Sequence, residues 1–206
     1  MARIGVLGTG AMATAVGWRL VRSGCRVCFG SRTAERAVEI AIGFGGGASG
    51  GTYADAAAYG DIVVVALDWP RVIEVVRDTP SLRDRVLIDC SNPEASDGRS
   101  LAVGFTTSGA EEIGRAAPGA RVVKALNHVY AELLNAPGAT ITTVLCGDDA
   151  DALASVDRVL RQAEIESIAG GPLRHARYAE PFAMLMVHLV RSGQLKPERA
   201  TVRFGH

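Results

Sequence analysis

One stretch near the N-terminus, Arg3-Ile4-Gly5-Val6-Leu7-Gly8-Thr9-Gly10-Ala11-Met12-Ala13, constrains this chain more than any other. Arg3 to Leu7 is short and mostly apolar, as a buried parallel strand would be. Gly8, Gly10 and Ala13 then form G-x-G-x-x-A. Gly8 permits a tight turn, Gly10 lets a pyrophosphate approach the backbone, and Ala13 lets the next helix pack close to the strand. Between Ala11 and Arg22, Val16, Leu20 and Val21 stand at helical spacing. Strand, glycine turn and helix thus come in the order that a dinucleotide site requires. The first-turn N–H groups, those of Ala11 and Met12 among them, are expected to face the pyrophosphate. The helix dipole favours its negative charge.

The end of the second strand, Cys25 to Gly30, bears on which dinucleotide binds. An NAD site usually has Asp or Glu here, accepting from the ribose 2′-hydroxyl. This chain has Gly30-Ser31-Arg32, with Arg36 one turn further on. No carboxylate repels a phosphate, while a hydroxyl and two guanidiniums can bind one. The pattern therefore favours NADP over NAD.

Strand and helix patterns alternate along the rest of the chain. Helices are expected at Thr33–Ile42, Tyr53–Tyr59 and from Pro70 to about Arg77. Further helices are expected at Ser108–Ala117, from Asp149 to about Gln162, and over the strongly apolar stretch Leu173–Leu189. Strands are expected at Asp61–Leu67, Val86–Cys90, Val122–Leu126, Ile141–Cys146 and Ile165–Ile168, and Gly43–Thr52 reads as a flexible loop. This alternation predicts an α/β, Rossmann-like, doubly wound, mostly parallel sheet with a small C-terminal helical extension. No linker divides residues 1–206, which read as one NADP-binding unit: sheet and crossover helices to about 170, then C-terminal helix and tail.

In such a sheet, ligands lie outside the C-terminal strand ends. Ala66, Leu67 and Asp68 fall there, with Trp69. Ser91 and Asn92 do too, where polar side chains can meet a nicotinamide amide or ribose. Asn127 and His128 follow the next strand.

Other classes are disfavoured. Formal net charge is zero and no basic run exists, which argues against nucleic acid. No apolar stretch is long enough to span a membrane, and the N-terminus does not read as a cleavable signal, so a cytoplasmic home is expected. Cys25 and Cys28 form C-x-x-C, but that spacing on a strand puts them on opposite faces, and no second pair completes a zinc site. Cys25, Cys28, Cys90 and Cys146 are expected to be reduced and mostly buried, with no metal site.

Several segments together carry a family resemblance: Gly8-Thr9-Gly10, Gly30-Ser31-Arg32, Ile88-Asp89-Cys90-Ser91-Asn92-Pro93, Val122-Val123-Lys124-Ala125-Leu126-Asn127, Cys146-Gly147-Asp148-Asp149 and Gly171-Pro172-Leu173-Arg174-His175-Ala176-Arg177. Over nearly its whole length the chain resembles the deazaflavin-dependent NADP oxidoreductases, which move hydride between NADPH and coenzyme F-420. It is also similar to the cytosolic reductase domain of six-transmembrane metalloreductases, where NADPH reduces a flavin. The resemblance implies NADP(H) as cofactor, with coenzyme F-420 or FMN/FAD as the second substrate. It implies that Thr9, Ser31, Arg32 and Arg36 hold the 2′-phosphate side, and that Ala66 to Trp69 with Ser91 and Asn92 flank the nicotinamide. Asn127, His128, Val129, Tyr130 and Ala131 would face the acceptor ring. The chain departs from the family twice. Deazaflavin enzymes can carry histidine at the position of Asn127, whereas here His128 lies one place on, and Tyr130 stands where a small residue or proline is common.

Hydride transfer between two stacked rings needs positioning and little acid–base help. An imine or carbonyl acceptor would also need a proton, and His128 is the candidate catalytic residue to supply it. Reduction of such a small organic substrate is the alternative activity, and a non-catalytic NADP-sensing module is a third reading. His188, on the apolar C-terminal helix, is expected in the core or an interface, and His206 in the tail. That helix's apolar density, with the resemblance to dimeric family members, implies a homodimer.

Overall fold

A computed structural model describes residues 1–202; His206 lies outside the described residues. The elements run β1 (Arg3–Leu7), α1 (Ala11–Arg22), β2 (Arg26–Ser31), α2 (Ala34–Ile42), β3 (Ala48–Thr52), α3 (Tyr53–Tyr59), β4 (Ile62–Val65) and α4 (Arg71–Arg77). Then come β5 (Val86–Asp89), α5 (Gly109–Ala116), β6 (Arg121–Lys124), α6 (Ala131–Asn135), β7 (Ile141–Gly147), α7 (Ala150–Gln162), β8 (Ile165–Gly171) and α8 (Ala176–Arg191).

The strands form one eight-stranded sheet in the order β3-β2-β1-β4-β5-β6-β7-β8. All neighbours pair in parallel except β6 and β7, which are antiparallel. The expected mostly parallel Rossmann-like α/β fold is therefore present. Strand order reverses between β1 and β4, so a crevice opens beyond their C-terminal ends.

Side chains alternate across the sheet and build a core on each face. Ile4, Val6, Val27, Phe29, Val64 and Ile88 pack on one side with α1, α2, α6 and α7. Leu7, Cys28, Val63, Val65 and Leu87 pack on the other with α3, α4 and α5. Cys25 joins the first core and Cys28 the second, as their spacing requires. All four cysteines are free and buried.

Two elements differ from the sequence expectation. The stretch read as a loop contains β3, whose Ala-Ser-Gly-Gly-Thr sequence lacks the β-branched residues that signal a strand. It pairs with β2 from Val27↔Ala48 to Ser31↔Thr52. Its small residues answer to packing: a Cβ at Gly50 would lie 2.3 Å from both Ala37 C and Val38 N in α2. The strand ends at Thr52, which accepts from Asp55 N while Asp55 accepts from Thr52 N, a capping box that starts α3. The second addition, α6, is five residues long and shows no amphipathic period of its own. His188 is exposed rather than buried in the core of the chain. Among the described residues, no helix is long and apolar enough to cross a membrane.

The Gly50 contact makes a prediction. Gly50→Ala should push α2 off β3 and lower stability by about 1–3 kcal/mol, the usual result of overpacking. Urea unfolding measures it, and an unchanged midpoint would contradict the packing account.

Candidate functional site

A cleft of about 920 Å³ lies beyond the C-terminal ends of β1, β2, β4, β5 and β6, with Ala183 and Val187 of α8 as part of one wall. Every candidate site residue taken from the sequence borders it, from Gly8 and Thr9 at one end to Tyr130 and Ala131 at the other.

The floor is the turn from β1 to α1. Gly8 has φ +130°, and a Cβ there would lie 2.4 Å from Ala66 O. Gly10 differs: a Cβ on it would meet nothing within 4 Å, because it faces open space. No side chain caps α1, and no acidic residue occupies its first turn. The positive end of this twelve-residue helix is therefore left free for an anionic group.

At the β2 end, Ser31 is buried while Arg32 and Arg36 are exposed. Arg36 lies 3.0 Å from Glu39, an exposed i,i+3 pair, and Arg32 makes no ion pair among the described residues. Arg71, at the start of α4, lines the same cleft, a third guanidinium that the sequence pattern did not single out.

At the other end, the two asparagines are used on each other. Asn92 Nδ2 donates to Asn127 O at 2.7 Å, and Asn127 Nδ2 donates to Asn92 Oδ1 at 3.0 Å and to Ala179 O at 3.0 Å. The sequence suggested two polar groups awaiting a ligand; the structure makes them a brace joining the β5 loop, the β6 loop and α8.

Beneath that brace lies a cluster that was not legible in the sequence. Lys124 Nζ is 2.8 Å from Asp89 Oδ2, 2.8 Å from Glu180 Oε1 and 2.6 Å from Ser91 O. Lys124, Asp89 and Glu180 are all fully buried. Asp89 Oδ1 accepts from Ser91 N and Oγ, and the Glu180 carboxylate accepts from Gly109 N and Ala110 N at the start of α5. Burial alone would drive the ammonium's pKa down, but Asp89 and Glu180 outweigh it and hold Lys124 above the ordinary lysine range. The second carboxylate is offset by the positive end of α5. Lysine inside the apolar Val122-Val123-Lys124-Ala125-Leu126 run was the one available signal; its partner Glu180 sits on a distant helix.

His128 is buried, with Nε2 3.2 Å from Thr142 O and its ring edge-on to Phe182 at 5.8 Å. A carbonyl can only accept, so the neutral ring carries its proton on Nε2 and leaves Nδ1 bare. Burial pulls the His128 pKa below the usual histidine value, against the smaller effect of the Thr142 bond. A neutral ring with its proton engaged is a poor general acid. Tyr130 lines the same end, and its hydroxyl is buried without a hydrogen-bond partner among the described residues. Burial raises its pKa, which keeps it a protonated donor. Cys90 also borders the cleft, but burial and the neighbouring Asp89 push its thiol far up, leaving it unreactive.

Residues 3–93 match the family model described as NADP oxidoreductase, coenzyme F420-dependent. The F420-dependent NADP reductase of Methanothermobacter thermautotrophicus is 29% identical over 199 residues, covering 88% of this chain and 86% of that protein. A crystal structure of a candidate F420-dependent NADP reductase from Arthrobacter sp. superposes with a TM-score of 0.84 at 26% identity, covering 99% of this chain and all of the other. Over nearly its whole length the chain is similar to these NADP-dependent oxidoreductases. Metalloreductase STEAP3 of Rattus norvegicus is 26% identical over 187 residues, 90% of this chain, but the match spans only 37% of that longer protein.

The buried histidine makes a testable prediction. Its folded-state pKa lies below its unfolded value of about 6.5, so the unfolded chain binds the proton more readily. The stabilising contribution of neutral His128 is complete above that pH and is lost as pH falls through it toward the lowered folded value. Urea midpoints from pH 8 to 5 should therefore fall less steeply in His128→Asn than in the wild type. Parallel profiles would contradict the assignment.

Proposed function

We propose that this protein transfers hydride between NADPH and a deazaflavin or flavin ring, coenzyme F-420 or FMN/FAD, stacked against the nicotinamide. The observation that carries the reading is one continuous cleft, which has an uncapped helix N-terminus on its floor, guanidiniums at one end and the Asn92–Asn127 brace at the other. Its fit to NADPH is supported by Gly10, which leaves room for a pyrophosphate, and by Ser31, Arg32 and Arg36, which lie within the same cleft beyond the strand ends.

Bound NADPH supplies the hydride; the protein supplies position and exclusion of water. In this reading Gly8, Thr9, Gly10, Ala11 and Met12 receive the pyrophosphate. Arg32 and Arg36 pair with the 2′-phosphate, Arg36 leaving its exposed bond to Glu39. Ala66, Leu67 and Asp68 flank the ribose, while Ser91 and Asn92 support the nicotinamide edge. Asn127, His128, Val129, Tyr130 and Ala131 line the acceptor side with Ala183 and Val187.

One observation keeps a second reading in play. The unpartnered Tyr130 hydroxyl is a donor that an imine or carbonyl acceptor would need and a ring acceptor would not. It is better suited to that task than His128, whose proton is engaged. We also propose that α8 forms a homodimer interface. Tyr178, Phe182 and Leu185 are exposed at helical spacing along one side of it, and a monomer by light scattering at micromolar concentration would exclude this.

NADPH oxidation followed by absorbance with coenzyme F-420, FMN, FAD, and small ketones or imines tests the acceptor. The proposal expects turnover with a ring acceptor that survives Tyr130→Phe. Turnover confined to ketones or imines, and lost in Tyr130→Phe, would replace it with the second reading. In the same assay Arg32→Asp should weaken NADPH by about 10- to 100-fold, the size of a lost charge-assisted hydrogen bond, with little effect on NADH. An unchanged NADPH affinity would remove Arg32 from the site.

A further inference from the structure

The buried cluster and the asparagine brace close into one ring of hydrogen bonds. Lys124 Nζ donates to Ser91 O; the next residue, Asn92, bonds with Asn127; Asn127 reaches Ala179 O; and the residue after that, Glu180, returns to Lys124. Asp89 sits inside the ring, holding Lys124 and, through two further bonds, Ser91. The three segments so tied, the β5 loop, the β6 loop and α8, are the walls of the cleft at its braced end.

We propose that Lys124 is a positioning residue that sets the spacing between the Ser91–Asn92 edge and the α8 wall, acting through Ser91 and Glu180. This rests on the hydride-transfer reading above. An ammonium has three protons, and here each has its own target, two at the end of β5 and its loop and one on α8, so with Lys124 itself at the end of β6 the group joins three segments rigidly. Hydride transfer needs the reacting atoms about 3–3.5 Å apart, and a displacement of about 1 Å can lower the rate by about a hundredfold. An ordinary apolar residue at Lys124 would fill the space between β5, β6 and α8 but would hold none of these polar groups. Neither Lys124 nor Glu180 borders the cleft, so neither is placed to touch a ligand.

The test separates the two ends of the cleft. Adenosine 2′,5′-bisphosphate probes only the adenosine end, and the fluorescence of bound NADPH reports how rigidly its nicotinamide is held. In Lys124→Met, the bisphosphate should bind within about twofold of wild type. The nicotinamide fluorescence enhancement should be lost, and hydride transfer should fall about tenfold to a hundredfold with little change in KM for NADPH. Should Lys124→Met fail to fold, the same pair of readings is taken on Glu180→Gln, which keeps the side-chain shape. Unchanged enhancement and rate in a folded variant would overturn the proposal. So would equal losses at both ends, since that is what general loosening of the fold produces. If the wild type turned over no acceptor, the hydride-transfer reading would fall, while the fluorescence and bisphosphate pair would still decide the positioning claim.

Discussion

At Gly8 the end of β1 passes the end of β4 so closely that a Cβ would lie 2.4 Å from Ala66 O and 3.3 Å from Ala13 Cβ. This crowding is the constraint on which the rest depends. It lets α1 begin directly beyond the strand and aim its uncapped N-terminus into the crevice where strand order reverses. The helix end is a fixed partial positive charge, positioned by backbone geometry and not by any flexible side chain. Every other part of the cleft is arranged around that point: guanidiniums beyond β2, the β4 turn above it, and the β5 and β6 loops at the far end.

The far end is built by a different physical means. Positions there are set by buried charge. Lys124, Asp89 and Glu180 bring an excess negative charge into the interior, and α5 answers it with the N–H groups of Gly109 and Ala110. A second tie, the two bonds from Arg177 to Glu111 at 2.8 and 2.6 Å, holds α8 to the same helix and keeps the Glu111 carboxyl below its usual pKa. Buried ion clusters are weak sources of net stability, because desolvation offsets much of the attraction. Their directional bonds do restrict how the joined elements sit. The cleft thus has a steric anchor at one end and an electrostatic one at the other.

The divide also explains what could be read from the sequence. Local patterns carried most of the fold: α1 and α3 begin and end where apolar spacing and turn residues placed them, and the β-branched run at Ile62–Val65 could only be a buried strand. Strand β3 was not legible because its small residues answer to α2 rather than to a strand pattern. The candidate site residues border one cleft because they lie at or beyond strand ends, and the fold gathers those ends at one edge. Their partners were not legible. The Asn92–Asn127 brace joins residues 35 apart, and Glu180 lies 71 positions from Gly109, whose N–H it holds. Such pairs exist only once β5, β6 and α8 have been brought together. His128 shows the same limit: its type suggested a proton donor, and only the fold reveals that Thr142 and Phe182 enclose it.

A crystal structure with NADPH bound is the most direct test of the central claim, that this cleft holds the dinucleotide from the free α1 terminus to the braced loops. The account predicts the pyrophosphate on the N–H groups after Gly10 and the 2′-phosphate beside Ser31 and Arg32. The nicotinamide should lie against Ser91 and Asn92, with its open face toward Tyr130 and α8. A cofactor lying in the reverse direction, or a nicotinamide remote from the β5 and β6 loops, would contradict it.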